Sequence, residues 1–534
     1  MQWKHVARVI EGGPLSRRRW YLIATAFAAI IIAFVLLRPL LSARWSLIDD
    51  HETVAFYDRS DSHGPSWFFQ SLRESEAGQP GEGSRYRPAY YFLRIAETGL
   101  WRGSARLWWF AHVIKFAISV LLLLWALRRV TGIWENLAAT VWIVGAITWW
   151  GDIYCRLGPS EAYCVPAAAL YAWGAIAAVQ TMRSTRLPRY HAWCGVALAL
   201  GGAVAAGSKE NMVFLLLPSM YLVARARWRG SHKWITIGCA LHGVFGVFVA
   251  IATYIGVARV GHVYKESVST GGRLALMKAA ARSVIGDHWL AIVIALVVAG
   301  VALLVANEKR PVLARRLVMP AAVVAFAFIM WLSQVAFYNG WPPTDGRYYF
   351  PGGLAAPLAI YACYVAAART AKFFDARAAI VVRGLALVFI GWRLWTSDYA
   401  LRAQATQRRN LSTDISKRLG RVIKAARKNP TAPIVCVSNS VWAYEPVVSL
   451  QLFLRHAHIT NPVYMMQRFT PADFPEGSLE RSLAEGMDQI AREGGHDDWS
   501  MTRPFAYQGG GGDCIGVGFS GDTGLADCPA VAQF

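Results

Sequence analysis

Apolar runs of about 15 to 22 residues recur along the chain with polar breaks between them, and that recurrence decides what the chain can fold into. In hydrocarbon every backbone N–H and C=O must be paired internally, so only helices and closed barrels cross it. Barrel strands need about 9–11 residues, whereas helical spans need about 20. The runs predict spans near Trp20–Leu41, Trp108–Leu127, Asn136–Trp150, Ala162–Gln180, Ala192–Ala206, Met212–Ala224, Trp234–Val257, Trp289–Ala306, Leu317–Ala336, Leu354–Ala368 and Ala378–Ser397, eleven in all. Composition agrees: 55% of the residues are hydrophobic and 16% charged, with 23 tryptophans. A soluble chain carries about 25% charged residues. Disorder, a disulfide-dense secreted scaffold and a cytosolic enzyme are excluded. The expected fold class is an α-helical polytopic membrane protein with a small C-terminal extracytoplasmic α/β domain.

The net charge of +22 is not a nucleic-acid signal. From Asp398 onward there are 14 Lys+Arg and 14 Asp+Glu, so the whole excess lies in the apolar part. Basic loops there suit cytoplasmic sidedness and anionic lipid. Arg128-Arg129, Arg183/Arg186/Arg189, Arg225/Arg227/Arg229/Lys233, Lys309/Arg310/Arg315/Arg316 and Arg369/Lys372/Arg377 mark one side. The alternate short loops hold one base each: Arg156, Lys209 and Arg347. The N-terminus (1–19) is therefore expected in the cytoplasm and the C-terminus outside. The outer segments would be the loop Ser42–Leu107, the loop Ala258–His288 and the tail from Asp398.

In the tail, Ile434–Val437 and Pro462–Met466 read as strands, Pro446–His456 and Leu479–Glu493 as helices. Gly509–Gly512 reads as a flexible turn. Cys514 and Cys528 close a Gly/Asp-rich loop and are expected to pair in an oxidising compartment, with Cys436 as the alternative partner.

Acids in the apolar part collect at the outer loops. Asp49-Asp50-His51-Glu52 follows the first span. Carboxylates at that depth are partly desolvated, so a general-base role is physically available. The same groups could hold Mg²⁺ or Mn²⁺, or form a solvated interfacial loop. Arg85-Tyr86-Arg87-Pro88 offers two guanidiniums beside aromatics, suited to a phosphate headgroup or to interfacial anchoring. Asp152 and Gly158-Pro159-Ser160-Glu161 join the third and fourth spans, and Ser208-Lys209-Glu210-Asn211 the fifth and sixth. Arg347-Tyr348-Tyr349-Phe350-Pro351 precedes the tenth. Lys115, inside the second span, reads as a snorkelling lysine.

The acidic pair after the first span, "RYRP", "GPSEAY", "SKEN" and "RYYFP", in this order and on one side, resemble the GT-C superfamily of membrane glycosyltransferases. Protein O-mannosyltransferases, the lipid A aminoarabinose transferase and oligosaccharyltransferases belong to it. The resemblance covers about Trp20 to Ser397. It implies inverting transfer of a sugar from a polyprenyl-phosphate donor to a glycan, lipid or protein acceptor at the outer face. Asp49 or Asp50 would deprotonate the acceptor, Asp49 slightly preferred. Arg347, Arg87, Arg85 and Lys209 would hold the donor phosphate, with Glu52, Asp152, Glu161, Glu210 and Tyr348 in support. If a divalent metal takes part, Asp49 and Asp152 are its candidate ligands.

Two other classes share the polytopic, basic character. A lipid-linked glycan flippase predicts charged groups lining a mid-span path. An O-antigen ligase or polymerase predicts catalytic bases in one large late outer loop.

Overall fold

The computed structural model describes residues 15–48, 50–82, 85–128, 149–182, 188–228, 233–260, 346–374, 400–438, 444–467, 469–476, 514–520 and 524–527, with shorter stretches between them. The helices are α1 (Leu15–Leu37), α2 (Asp50–His63), α3 (Trp67–Glu74), α4 (Pro88–Trp101), α5 (Ala105–Arg128), α6 (Trp150–Tyr154), α7 (Glu161–Thr181), α8 (Pro188–Ser208), α9 (Leu216–Trp228), α10 (Lys233–Val260), α11 (Ala355–Phe374), α12 (Ala400–Lys428) and α13 (Tyr444–His456).

Among the described residues, five helical stretches are long and apolar enough to cross a membrane: Trp20–Ser42, Ala105–Arg128, Glu161–Thr181, Tyr190–Ser208 and Lys233–Arg259. The first has 23 residues. At 1.5 Å rise that is roughly 35 Å, enough for a hydrocarbon core of roughly 30 Å. Gly352–Ala366 is apolar but shorter. The expected Met212–Ala224 span is a 3₁₀ turn, Glu210–Leu215, running into the 13-residue α9. The expected spans Asn136–Trp150, Trp289–Ala306, Leu317–Ala336 and Ala378–Ser397 lie wholly or mostly outside the described residues.

Burial orders the bundle. Only 28% of the α1 window is buried against 67% for α5, so α1 stands at the perimeter and α5 at the centre. Trp108 and Trp109 of α5 are fully buried, and their indole N–H groups donate to the carbonyls of Arg102 (2.9 Å) and Arg44 (3.1 Å). A buried tryptophan needs such a partner. Helices α8 and α10 approach until their backbones touch at Gly195 and Gly238, where a Cβ on either would lie 2.2 Å from a backbone oxygen. Close approach through small residues replaces the hydrophobic effect as the packing force in lipid.

The C-terminal part is a small sheet with helices. Its strands are β1 (Ile434–Ser438), β2 (Val463–Gln467), the two-residue β3 (Asp497–Asp498) and β4 (Met501–Thr502), then β5 (Phe505–Ala506), β6 (Ile515–Ser520) and β7 (Gly524–Asp527). Five form one sheet in the order β5-β2-β1-β6-β7. All its pairs are parallel except β6–β7. Ile434–Val437 and the fully buried Cys436 form its middle, as an unbroken apolar run in a parallel sheet should. The Leu479–Glu493 helix, the Gly509–Gly512 turn and Cys528 of the expected bridge lie wholly or mostly outside the described residues.

This sheet does not build its core alone. Leu47 and Val54, from the first loop, are buried together with Ile415, Ile434, Val447, Leu450 and Phe453. Helix α12 presents Leu401, Ala405, Arg408, Ser412 and Ile415, a buried stripe at helical spacing. It lies against the 3₁₀ turn Arg38–Ser42 that ends the first span, against α1, and against α6. Backbone N–H groups of the first loop donate into this layer: Arg44 to Ser412 Oγ (3.1 Å) and Ile48 to Ser449 Oγ (3.0 Å). Ile48 has φ of +75°, a conformation that is a genuine outlier for a β-branched residue and costs about 1–3 kcal/mol. The docked layer holds it there.

Candidate functional site

The acidic motif opens α2. Asp49 lies outside the described residues. Asp50 is fully buried; its Oδ2 accepts from the Ser46 N–H at 2.6 Å, and its Oδ1 lies 4.0 Å from Nη2 of Arg408 on α12. The carboxylate thus ties the loop to the C-terminal layer, away from solvent. Glu52 is 28% exposed. The Tyr90 hydroxyl lies 2.8 Å from both Glu52 Oε2 and the Gly158 carbonyl. Burial, then the Glu52 charge, holds that phenol well above its ordinary pKa, so it remains a donor.

The other four motifs meet at one end of the bundle, because each sits where a helix of the bundle begins or ends. Lys209, just after α8, places Nζ 2.7 Å from Oε1 of Glu161, the first residue of α7. Both side chains are about 95% buried, at 5% and 6% exposure. Lys209 Nζ also lies 3.3 Å from the Arg347 carbonyl and 5.8 Å from the centre of the Phe350 ring. Gln334 locks the same junction: it accepts from Asn211 Nδ2 and donates to the Tyr348 carbonyl. Gly346, at φ +50°, lets the chain turn there. A Cβ on it would strike Asp152 Oδ2 at 2.2 Å, which places the Asp152 carboxylate against this turn.

Arg347 and Arg87 differ in their company. The Arg87 guanidinium donates to both oxygens of Glu76, at 2.9 and 3.1 Å, lies 3.7 Å from Glu210, and stacks on Tyr90 and Tyr91. It is a clamp already satisfied by carboxylates. The Arg347 guanidinium lies 5.2 Å over the Tyr348 ring and 3.4 Å from its hydroxyl.

Burial and nearby charge shift two groups in this region. Burial raises the Glu210 pKa against the opposing charges of Arg87 and Arg85. At Tyr348 burial also raises the pKa, yet Arg347's charge and hydrogen bond, helped by Arg85, bring it below the ordinary value. The balance of charges around the half-buried Tyr348 phenol thus favours its own anion. Arg85 acts on both groups, so the RYRP loop faces the RYYFP turn.

A second ionic group, which the sequence reading did not find, lies beside the first. Lys115 does not snorkel. It is buried on α5, with Nζ 3.0 and 3.1 Å from the Glu97 oxygens and 3.9 Å from the centre of the Tyr163 ring. The Tyr163 hydroxyl donates to Glu97 at 2.7 Å, closing the triangle. Next to it Arg94, fully buried, donates to the Leu157 carbonyl at 2.5 Å and lies 4.8 Å over Trp108. Glu97 is three residues after Arg94, so both stand on the same face of α4.

No three His, Cys, Asp or Glu side chains gather as a metal set among the described residues. Asp152 is held against Gly346, and Asp49 is not described, so the fit of Mg²⁺ or Mn²⁺ rests on no donor set here and no step is derived through a metal.

No protein-family model matches the chain, and no curated protein matches it. Among solved structures it is similar to the oligosaccharyltransferase of Archaeoglobus fulgidus, solved with a tethered acceptor peptide containing the NVT sequon. The two are 12% identical with a TM-score of 0.39, over 83% of this chain and 64% of that one. The chain thus spans less than two thirds of that structure's length.

Proposed function

We propose that this protein is an inverting membrane glycosyltransferase. It transfers a sugar from a polyprenyl-phosphate carrier to a hydroxyl of a glycan, lipid or protein at the outer face of a bacterial cytoplasmic membrane. The observation that carries the reading is the assembly of Lys209, Arg347 and Arg85, from three separated loops, at one end of apolar helices. A departing lipid phosphate develops charge at the membrane surface. Preorganised cations there stabilise it by an amount often worth about 3 kcal/mol or more. Glu161 fixes Lys209 and Gln334 fixes the Arg347 turn, so these donors need no reorganisation as charge develops.

In the step itself the acceptor oxygen attacks the anomeric carbon opposite the phosphate, and the carbon–oxygen bond to phosphate breaks. The acceptor proton passes to a carboxylate. Asp49 takes that role in this reading; Asp50, buried on Arg408, holds the loop that presents it. Mass spectrometry of envelope glycans from cells lacking the protein tests the function. Loss of one sugar from one glycan supports it. The same loss with the lipid-linked donor confined to the inner leaflet overturns it in favour of a flippase.

A further inference from the structure

A cavity of about 360 Å³ lies between the end of the first span and α12, lined by Arg38, Pro39, Ser42, Arg402, Thr406 and Arg409. It shares no residue with the site above. Its volume falls within the roughly 300–1,000 Å³ of small-molecule pockets. Three of its six lining residues are arginines, and none is acidic. Arg402, Thr406 and Arg409 recur at helical spacing on one face of α12, next to the buried stripe of Leu401, Ala405, Arg408 and Ser412. The Arg409 guanidinium donates to Asn410 Oδ1, a neutral acceptor, at 2.8 and 3.1 Å, so its charge is kept. The Ser42 and Thr406 hydroxyls donate to the Pro39 and Arg402 carbonyls, which leaves anion contact to the guanidiniums.

The surroundings indicate which kind of anion would fit. Arg38 opens the 3₁₀ turn that follows α1 and lies 5.7 Å over the Phe34 ring. Phe27, Ile31 and Phe34 stand on the same face of α1 as Arg38 and are 64%, 45% and 46% exposed. A free anion has no use for that stripe, whereas an acyl chain lies along it with its headgroup at Arg38. Clustered basic groups at a span end attract anionic headgroups. Arginine is suited to phosphate oxygens by its planar fork of donors.

We infer that the Arg38–Arg402–Arg409 cavity is a binding site for the phosphate headgroup of an anionic membrane phospholipid, whose acyl chains run along α1. The lipid would bridge the first span and the C-terminal layer.

The test is native mass spectrometry of the full chain in detergent, titrated with phosphatidylglycerol, with phosphatidylcholine, or with inorganic phosphate. Phosphatidylglycerol should bind with phosphatidylcholine well behind. R38Q/R402Q/R409Q should weaken the phosphatidylglycerol site by about tenfold or more. R225Q/R227Q, at the other end of the bundle, should leave that site intact. Single R402Q and R409Q variants, checked for an unchanged melting temperature without lipid, guard against loss of folding in the triple variant. Equal phosphatidylglycerol affinity in wild type and variants overturns the site. Inorganic phosphate binding as tightly as phosphatidylglycerol overturns the lipid and leaves a simple anion site.

Discussion

Nζ of Lys209 lies 2.7 Å from Oε1 of Glu161, and both side chains are almost wholly enclosed. Removing one partner leaves the other charge buried and uncompensated, which typically costs about 3–5 kcal/mol. Lys209→Met and Glu161→Gln should each lower the melting temperature of the purified protein clearly. The double variant should recover much of that loss, and a double no better than the worse single would show that the pair is not coupled.

Arg347→Ala should raise the KM for the lipid-phosphate donor. Loss of a charge-assisted phosphate contact costs about 1.5–3 kcal/mol. Arg87→Ala should act chiefly on stability, since it frees Glu76 and disturbs Glu210. A donor titration combined with thermal unfolding separates the two. Unchanged KM and kcat in Arg347→Ala would remove it from the donor site.

The acidic pair should divide its effects. Asp49→Asn, if Asp49 is the base, lowers turnover by about 10²–10⁴-fold at normal expression. Asp50→Asn disturbs the tie to Arg408 and should show first as lower stability and looser docking of α12. Proteolysis of the C-terminal layer measures the second effect, and sugar transfer in membranes the first. Near wild-type transfer in both variants would refute the mechanism.

Glu210 predicts a pH dependence. Burial raises its folded-state pKa above 4.5. Between 4.5 and that raised value the folded chain binds the proton more tightly than the unfolded chain, so stability falls as pH rises through this window. Glu210→Gln should therefore be more stable relative to wild type above the window than below it. Melting curves from pH 4 to 8 read the difference. A constant gap across that range would show that the carboxylate titrates as it does in the unfolded chain.

What could be read in advance followed from where helices end. Glu161, Lys209 and Arg347 are polar residues stranded beside apolar runs, and a bundle with alternating connections must bring such ends to the same side. Their company was harder to see. Glu97 looks like one more loop acid and Lys115 like a lysine able to reach water, and only the packing of α4 on α5 makes them a pair. Arg408 lies in a tail of soluble composition, and no periodicity announces that it will meet Asp50 across 358 positions of sequence. The strands at Ile434 and Val463 were legible because a buried parallel strand is continuously apolar. The sharing of their core with Leu47 and Val54 was not, because it depends on a docking geometry and on no local pattern.

The ties between the first loop and the C-terminal layer also set a timetable. Arg44 bonds to a residue 368 positions later, and Ile48 to one 401 positions later. A ribosome delivers the acidic segment early and its fasteners last. Through most of synthesis, residues 43–58 therefore wait without the groups that impose their final shape, including the strained turn at Ile48. The first loop acquires these two fasteners only when the tail arrives, so a chain cut short before Ser412 would carry the segment without them.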